Sequence, residues 1–122
     1  MASSFTVLIV DDDSAARDVL VEVLRDKGLR VFAASHGYEA VRILGDEPVD
    51  LLLADIVMPG MDGVQLAAQA KLIRPGIKVL FATGYAQKAT ERNAVRLGRV
   101  LFKPFRRPDL IREVEALLGS AA

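Results

Sequence analysis

Short apolar runs and longer segments of mixed polarity alternate along this chain, and the alternation repeats five times. Thr6-Val7-Leu8-Ile9-Val10 is a β-rich apolar run that stops at three aspartates, the pattern of a strand buried on both faces and ending at a polar edge. From Ser14 onward Ala16, Val19, Leu20, Val23 and Leu24 recur at helical spacing, which predicts a helix with Ser14 as N-cap and Gly28 as its stop. A second strand is expected over Arg30–Ala34. A second helix follows Gly37 through Tyr38, Val41, Ile43 and Leu44, closed by Gly45 and Pro48. Val49–Asp55 reads as a buried strand with a carboxylate at its tip, followed by the turn-rich loop Met58-Pro59-Gly60-Met61-Asp62-Gly63, with Pro and Gly in type II turn order. Helices are then predicted over Val64–Ile73, Gln87–Leu97 and Pro108–Leu118, and strands over Lys78–Thr83 and Val100–Phe102.

Strict alternation of strand and helix is the signature of an α/β domain, a doubly wound parallel sheet of five strands between two helix layers. The 122 residues suit one domain, 1–122, with no linker, repeat or low-complexity tract. At 52% hydrophobic and 26% charged the chain lies on the folded side of the boundary with disorder. Sixteen basic residues balance sixteen acidic ones, so no net field draws it to nucleic acid or anionic lipid. Without cysteine it has no disulfide, thiolate nucleophile or Cys-based zinc site, and its one histidine, His36, cannot build a His-rich metal site. Met1–Thr6 carries no signal-peptide pattern and no apolar run reaches bilayer length, so a cytoplasmic protein without a membrane anchor is expected.

In open α/β sheets ligands bind beyond the carboxyl ends of the strands. Those tips collect Asp11, Asp12 and Asp13, then Asp55, Thr83 and Lys103. Carboxylates gathered at one edge repel by roughly 4 kcal/mol per pair at 4 Å and an effective dielectric near 20, so they call for a cation. Oxygen ligands without His or Cys suit Mg2+ or Mn2+, which leave positions open for phosphate oxygens. An aspartate is also a nucleophile toward phosphorus, with Lys103 able to offset the developing charge and Thr83 offering a rotatable hydroxyl. Taken singly the parts are weak: an acidic loop often caps a helix, a threonine often ends a strand, and a lone lysine is usually solvated. His36 reads as a polar loop residue without a role, and Met58 and Met61 as packing residues. Arg92, Arg96, Arg99, Arg106, Arg107 and Arg112 make the last third locally basic, either a solvated face or a partner surface. No GxGxxG follows the first strand and no Walker A run is present, so nucleotide binding lacks its phosphate-cradling glycines.

Val10-Asp11-Asp12-Asp13, Asp55 with Met58-Pro59-Gly60-Met61-Asp62-Gly63, Ala82-Thr83-Gly84 and Phe102-Lys103-Pro104-Phe105 together resemble the receiver domain of bacterial two-component response regulators, over nearly the whole chain. The resemblance implies a flavodoxin-like three-layer fold with strand order 2-1-3-4-5. It implies that Asp55 accepts a phosphoryl group from a sensor histidine kinase or a histidine phosphotransfer protein, and that Thr83 and Lys103 hold its oxygens. Mg2+ would be held by Asp12 directly, by Asp11 through water, by Asp55, and by the backbone carbonyl of Val57. The Lys103-Pro104 bond is expected to be cis, aiming the lysine into the site. A downstream protein would dock on the face of the fourth helix, fifth strand and fifth helix. The chain would be a phosphoacceptor that assists its own phosphorylation and dephosphorylation rather than a turnover enzyme.

Two departures stand out. The family often carries Phe or Tyr where this chain has Val100, and Phe81-Ala82-Thr83-Gly84-Tyr85 is similar to receivers attached to hybrid histidine kinases, so Tyr85 is expected to read the phosphorylation state. Val57 and Tyr85 are bulky and carry no acid, which predicts slow self-dephosphorylation. Two other readings stay open at this stage. Haloacid-dehalogenase-like phosphatases resemble the same Asp-x-Asp start, with Asp11 as nucleophile and Asp13 as acid/base. A receiver-shaped module that is never phosphorylated is the other. Ending at Ala122, the chain is expected to hold no output domain, as a stand-alone regulator or the terminal receiver of a hybrid kinase.

Overall fold

The computed structural model describes residues 5–119. The expectations about a leader over residues 1–4 and about the chain end at residue 122 lie outside these. Five strands form one parallel sheet: β1 (Thr6–Val10), β2 (Arg30–Ala34), β3 (Leu51–Ala54), β4 (Lys78–Thr83) and β5 (Arg99–Phe102), in the order β2-β1-β3-β4-β5. Between and after them run α1 (Ser14–Asp26), α2 (Gly37–Asp46), α3 (Gly63–Ile73), α4 (Ala86–Glu91) and α5 (Arg107–Leu118). The expected strand order is the one found. Register pairs Val10 with Ala34 on one side and with Ala54 on the other, so the β1 and β3 tips end level.

Two cores explain why the central strands read as unbroken apolar runs. Leu8, Val10, Leu52, Ala54, Val79 and Phe81 face a core shared with α2 and α3, whereas Val7, Ile9, Leu51, Leu53, Leu80 and Ala82 face one shared with α1 and α5. The two-residue period of a strand persists, but both phases are buried. Polar groups are then left only where a strand runs out.

Local chemistry moves several boundaries. Asp13, not Ser14, caps α1: its Oδ1 accepts from the amides of Ala15 at 3.0 Å and Ala16 at 3.3 Å. A carboxylate serves better there than a hydroxyl, being charged beside the helix's positive end. The third strand is only Leu51–Ala54, shorter than the expected Val49–Asp55. Asp50 instead binds the Thr6 amide through its side chain at 2.8 Å. The single helix expected over Gln87–Leu97 is split into α4 and a 3-10 turn at Ala94–Arg96, because Asn93 adopts left-handed backbone (φ 57°), which Asn tolerates and a helix does not. Gly45 lies inside α2 rather than ending it. Gly60 takes φ 74°, as a type II turn after Pro59 requires. His36 is not idle: its Nδ1 accepts from the Glu39 amide at 3.2 Å and caps α2. Met58 is buried in the core, as expected.

Candidate functional site

At the carboxyl edge Asp11 and Asp55 follow β1 and β3, and both are buried. Each carboxylate is held by one backbone amide: Asp11 Oδ1 accepts from Asp13 at 3.0 Å, and Asp55 Oδ1 from Val57 at 3.2 Å. That leaves the Oδ2 atoms, and both accept from one ammonium, Lys103 Nζ, at 3.2 Å from Asp11 and 3.3 Å from Asp55. The lysine is aimed by its backbone, whose amide donates to the Thr83 carbonyl at 2.8 Å, and the following Lys103-Pro104 bond is cis as expected. Burial pulls the Lys103 pKa down, but the charges of Asp55 and then Asp11, with their hydrogen bonds, outweigh it and hold the group above the usual lysine value. Lys103 is therefore a firm cation at neutral pH.

Thr83 is fully buried at the β4 tip, and its Oγ1 accepts from the Tyr85 amide at 3.2 Å. The hydroxyl proton remains free to point elsewhere. Tyr85 itself opens α4 with its ring exposed, while Val100 is half-buried against the core. The three consecutive aspartates have three different fates. Asp11 turns inward, Asp13 is spent on the helix cap, and Asp12 is exposed, its carboxylate without a partner among the described residues.

Sequence reasoning missed Arg17, whose Nη1 donates to the Asp11 carbonyl at 2.7 Å. Its position six residues past Asp11, on the first turn of a helix otherwise capped by Asp13, was the available signal. Four of the six arginines of the basic stretch form ion pairs. Arg92 pairs with Asp62, Arg99 with Glu113, Arg107 with Asp26 and Arg112 with Asp109. Among the described residues the guanidinium groups of Arg96 and Arg106 form no ion pair, while the Arg106 amide donates to Asp109 Oδ2 at 3.1 Å. An open cavity of about 440 Å³ lies elsewhere, between Tyr38, Gly60, Met61, Gln65, Ala68 and Gln69, and includes no strand-tip charge.

A family model described as the response regulator receiver domain matches residues 7–115, which takes in all five strands but for Thr6 and all the residues just described. The chain belongs to this family. Among its relatives is the response regulator receiver protein CpdR of Brucella abortus, 42% identical over 117 residues, covering 94% of this chain and 98% of that protein. A CheY-like receiver domain structure from Methanospirillum hungatei superposes with a TM-score of 0.89 at 31% identity, covering 97% and 96% of the two chains. The response regulator TrrA of Thermotoga maritima, solved in complex with Mg2+ and BeF, gives a TM-score of 0.85 at 26% identity, covering 93% and 98%.

This receiver domain accordingly serves two-component phosphorelay signalling and is not a classical enzyme. Receiver domains are phosphorylated by histidine kinases or phosphotransfer proteins and generally bind Mg2+. The phosphatase reading fails on geometry as well as on kinship. The Asp13 carboxylate, its required acid/base, is committed to the α1 cap, and Asp13 meets Asp11 only through its backbone amide. No helix among the described residues is long and apolar enough to cross a membrane. Nor do three described His, Cys, Asp or Glu side chains converge as a metal-enclosing group. The donor set still fits Mg2+, which needs only one or two carboxylates and keeps waters. Two buried carboxylates meeting on one ammonium provide those oxygens.

Proposed function

We propose that Asp55 is the phosphoacceptor of this receiver, with Lys103 and Thr83 as the groups that hold the transferred phosphoryl. One observation carries the reading: a single ammonium joins the buried Asp11 and Asp55 carboxylates at the strand tips. In the reaction an Asp55 oxygen forms a bond to phosphorus as the P–N bond to the donor's phosphohistidine breaks, and the imidazole leaves with a proton. Lys103 follows the charge onto a phosphoryl oxygen, while the Thr83 proton turns to another. Because the same hydroxyl accepts from the Tyr85 amide, this turn is felt in the backbone that opens α4. Asp12 and Asp55, with the Val57 carbonyl and, through water, Asp11, would hold Mg2+, which would supply charge neutralisation at the phosphoryl oxygens.

Tyr85 then reads the state in place of the aromatic missing at Val100. The face made by α4, β5 and α5 carries it to a downstream protein, through the exposed Tyr85, Val95 and Phe102 beside Arg96. The phosphoryl transfer takes place in the cytoplasm. Incubation with acetyl phosphate and Mg2+, read by intact mass, tests it. A single phosphoryl adduct that vanishes in Asp55→Asn and with chelator is expected. An adduct that survives Asp55→Asn removes Asp55 from the role.

A further inference from the structure

We infer that Arg17 is a positioning residue for the cation site, acting through the peptide that joins Asp11 to Asp12; the inference rests on the function proposed above. The Asp11 carbonyl lies one residue beyond the last paired positions of β1, Val10 with Ala34 and Val10 with Ala54, so no ladder partner holds it. Among the described residues its one hydrogen bond is from Arg17 Nη1 at 2.7 Å, at the short end of the range for a charged donor. The peptide is planar, so fixing that oxygen also fixes the Asp12 amide and the direction in which the Asp12 Cα leaves the strand. Among the described residues no partner holds the Asp12 carboxylate itself, which makes the peptide plane the available control over where it points.

A competing account treats Arg17 as a plain positive charge near the acids, and the two accounts predict opposite signs. A bare charge repels a divalent cation, so removing it would tighten metal binding. A group that aims Asp12 would weaken binding when removed, by about tenfold if it behaves like other partners that orient metal ligands.

The test is the Mg2+ dissociation constant of the full chain by titration calorimetry at fixed ionic strength, for the parent, Arg17→Gln and Arg17→Lys, with the far-UV spectrum and melting curve of each. Arg17→Gln is expected to bind Mg2+ about tenfold more weakly. Arg17→Lys, which keeps the charge and one donor, should fall between it and the parent. A folded Arg17→Gln that binds Mg2+ as tightly as the parent, or more tightly, overturns the inference. An arginine that only stabilises the fold would lower the melting temperature and leave the dissociation constant in place. Should Arg17→Gln not fold, Arg17→Lys decides by the same criterion: at least twofold weaker binding supports the role, and equal or tighter binding ends it. A parent that binds no Mg2+ at all refutes the proposed function, and the Arg17 role with it, whereas loss of the Arg17 role alone leaves the parent's binding and Asp55 adduct intact.

Discussion

Replacing Lys103 by Met removes the one cation between two buried carboxylates while keeping the length of the side chain. Each ammonium–carboxylate pair, at 3.2 and 3.3 Å, is worth about 5 kcal/mol of direct attraction at an effective dielectric of 20. Desolvation of three charged groups offsets much of this, and the bare carboxylates left behind repel by about 3–4 kcal/mol. Breaking a buried pair by deleting one partner costs about 3–5 kcal/mol. Because 28% of the Lys103 side chain remains exposed, the lower end is expected, about 3 kcal/mol or roughly 10 °C in melting temperature. Mg2+ should then repair the variant more than it helps the parent, since the ammonium no longer competes for the same oxygens; saturation at a hundred times the dissociation constant supplies about 2.7 kcal/mol. Circular dichroism melts in chelator and in Mg2+ measure both. The reasoning is refuted if Lys103→Met melts with the parent in chelator, or if Mg2+ raises the two melting temperatures equally.

The same lysine sets an alkaline limit. Its folded pKa lies above the ordinary value of 10.5, so its contribution is complete below that value and is lost as pH rises through the folded one. Urea midpoints measured from pH 9 to 11.5 should show the parent's advantage over Lys103→Met shrinking only at the top of that range. A Cβ at Gly63 would strike the Asp55 carbonyl oxygen, so Gly63→Ala should cost about 1–3 kcal/mol in urea unfolding and slow phosphorylation. Gly45→Ala, with nothing near the added Cβ inside α2, should instead stabilise by about 0.5–1 kcal/mol. Val57→Asn should quicken phosphate release from the phosphorylated protein in a time course; an unchanged rate would clear Val57 of shielding the bond. Tyr85→Ala should blunt the amide shifts induced by phosphorylation in α4, and shifts matching the parent's would remove Tyr85 from the readout.

What the sequence by itself determined was everything written as a period or as a strand end. Five apolar runs separated by amphipathic segments dictate a covered parallel sheet, because such runs have no other way to bury both faces. Once the sheet exists, its first polar residues must collect at one edge, which is why Asp11, Asp55, Thr83 and Lys103 were legible before any coordinates. Tertiary structure decided what identical residues do there. Nothing local separates Asp11, Asp12 and Asp13. Only the lysine arriving from 92 positions away, and the helix that starts at Ser14, turn one inward to a cation and another into a cap. The pairing of Arg92 with Asp62 and of Arg107 with Asp26 was hidden for the same reason. Hydrophobic pattern is a property of the chain, whereas the partner of a charge is a property of what the fold brings beside it.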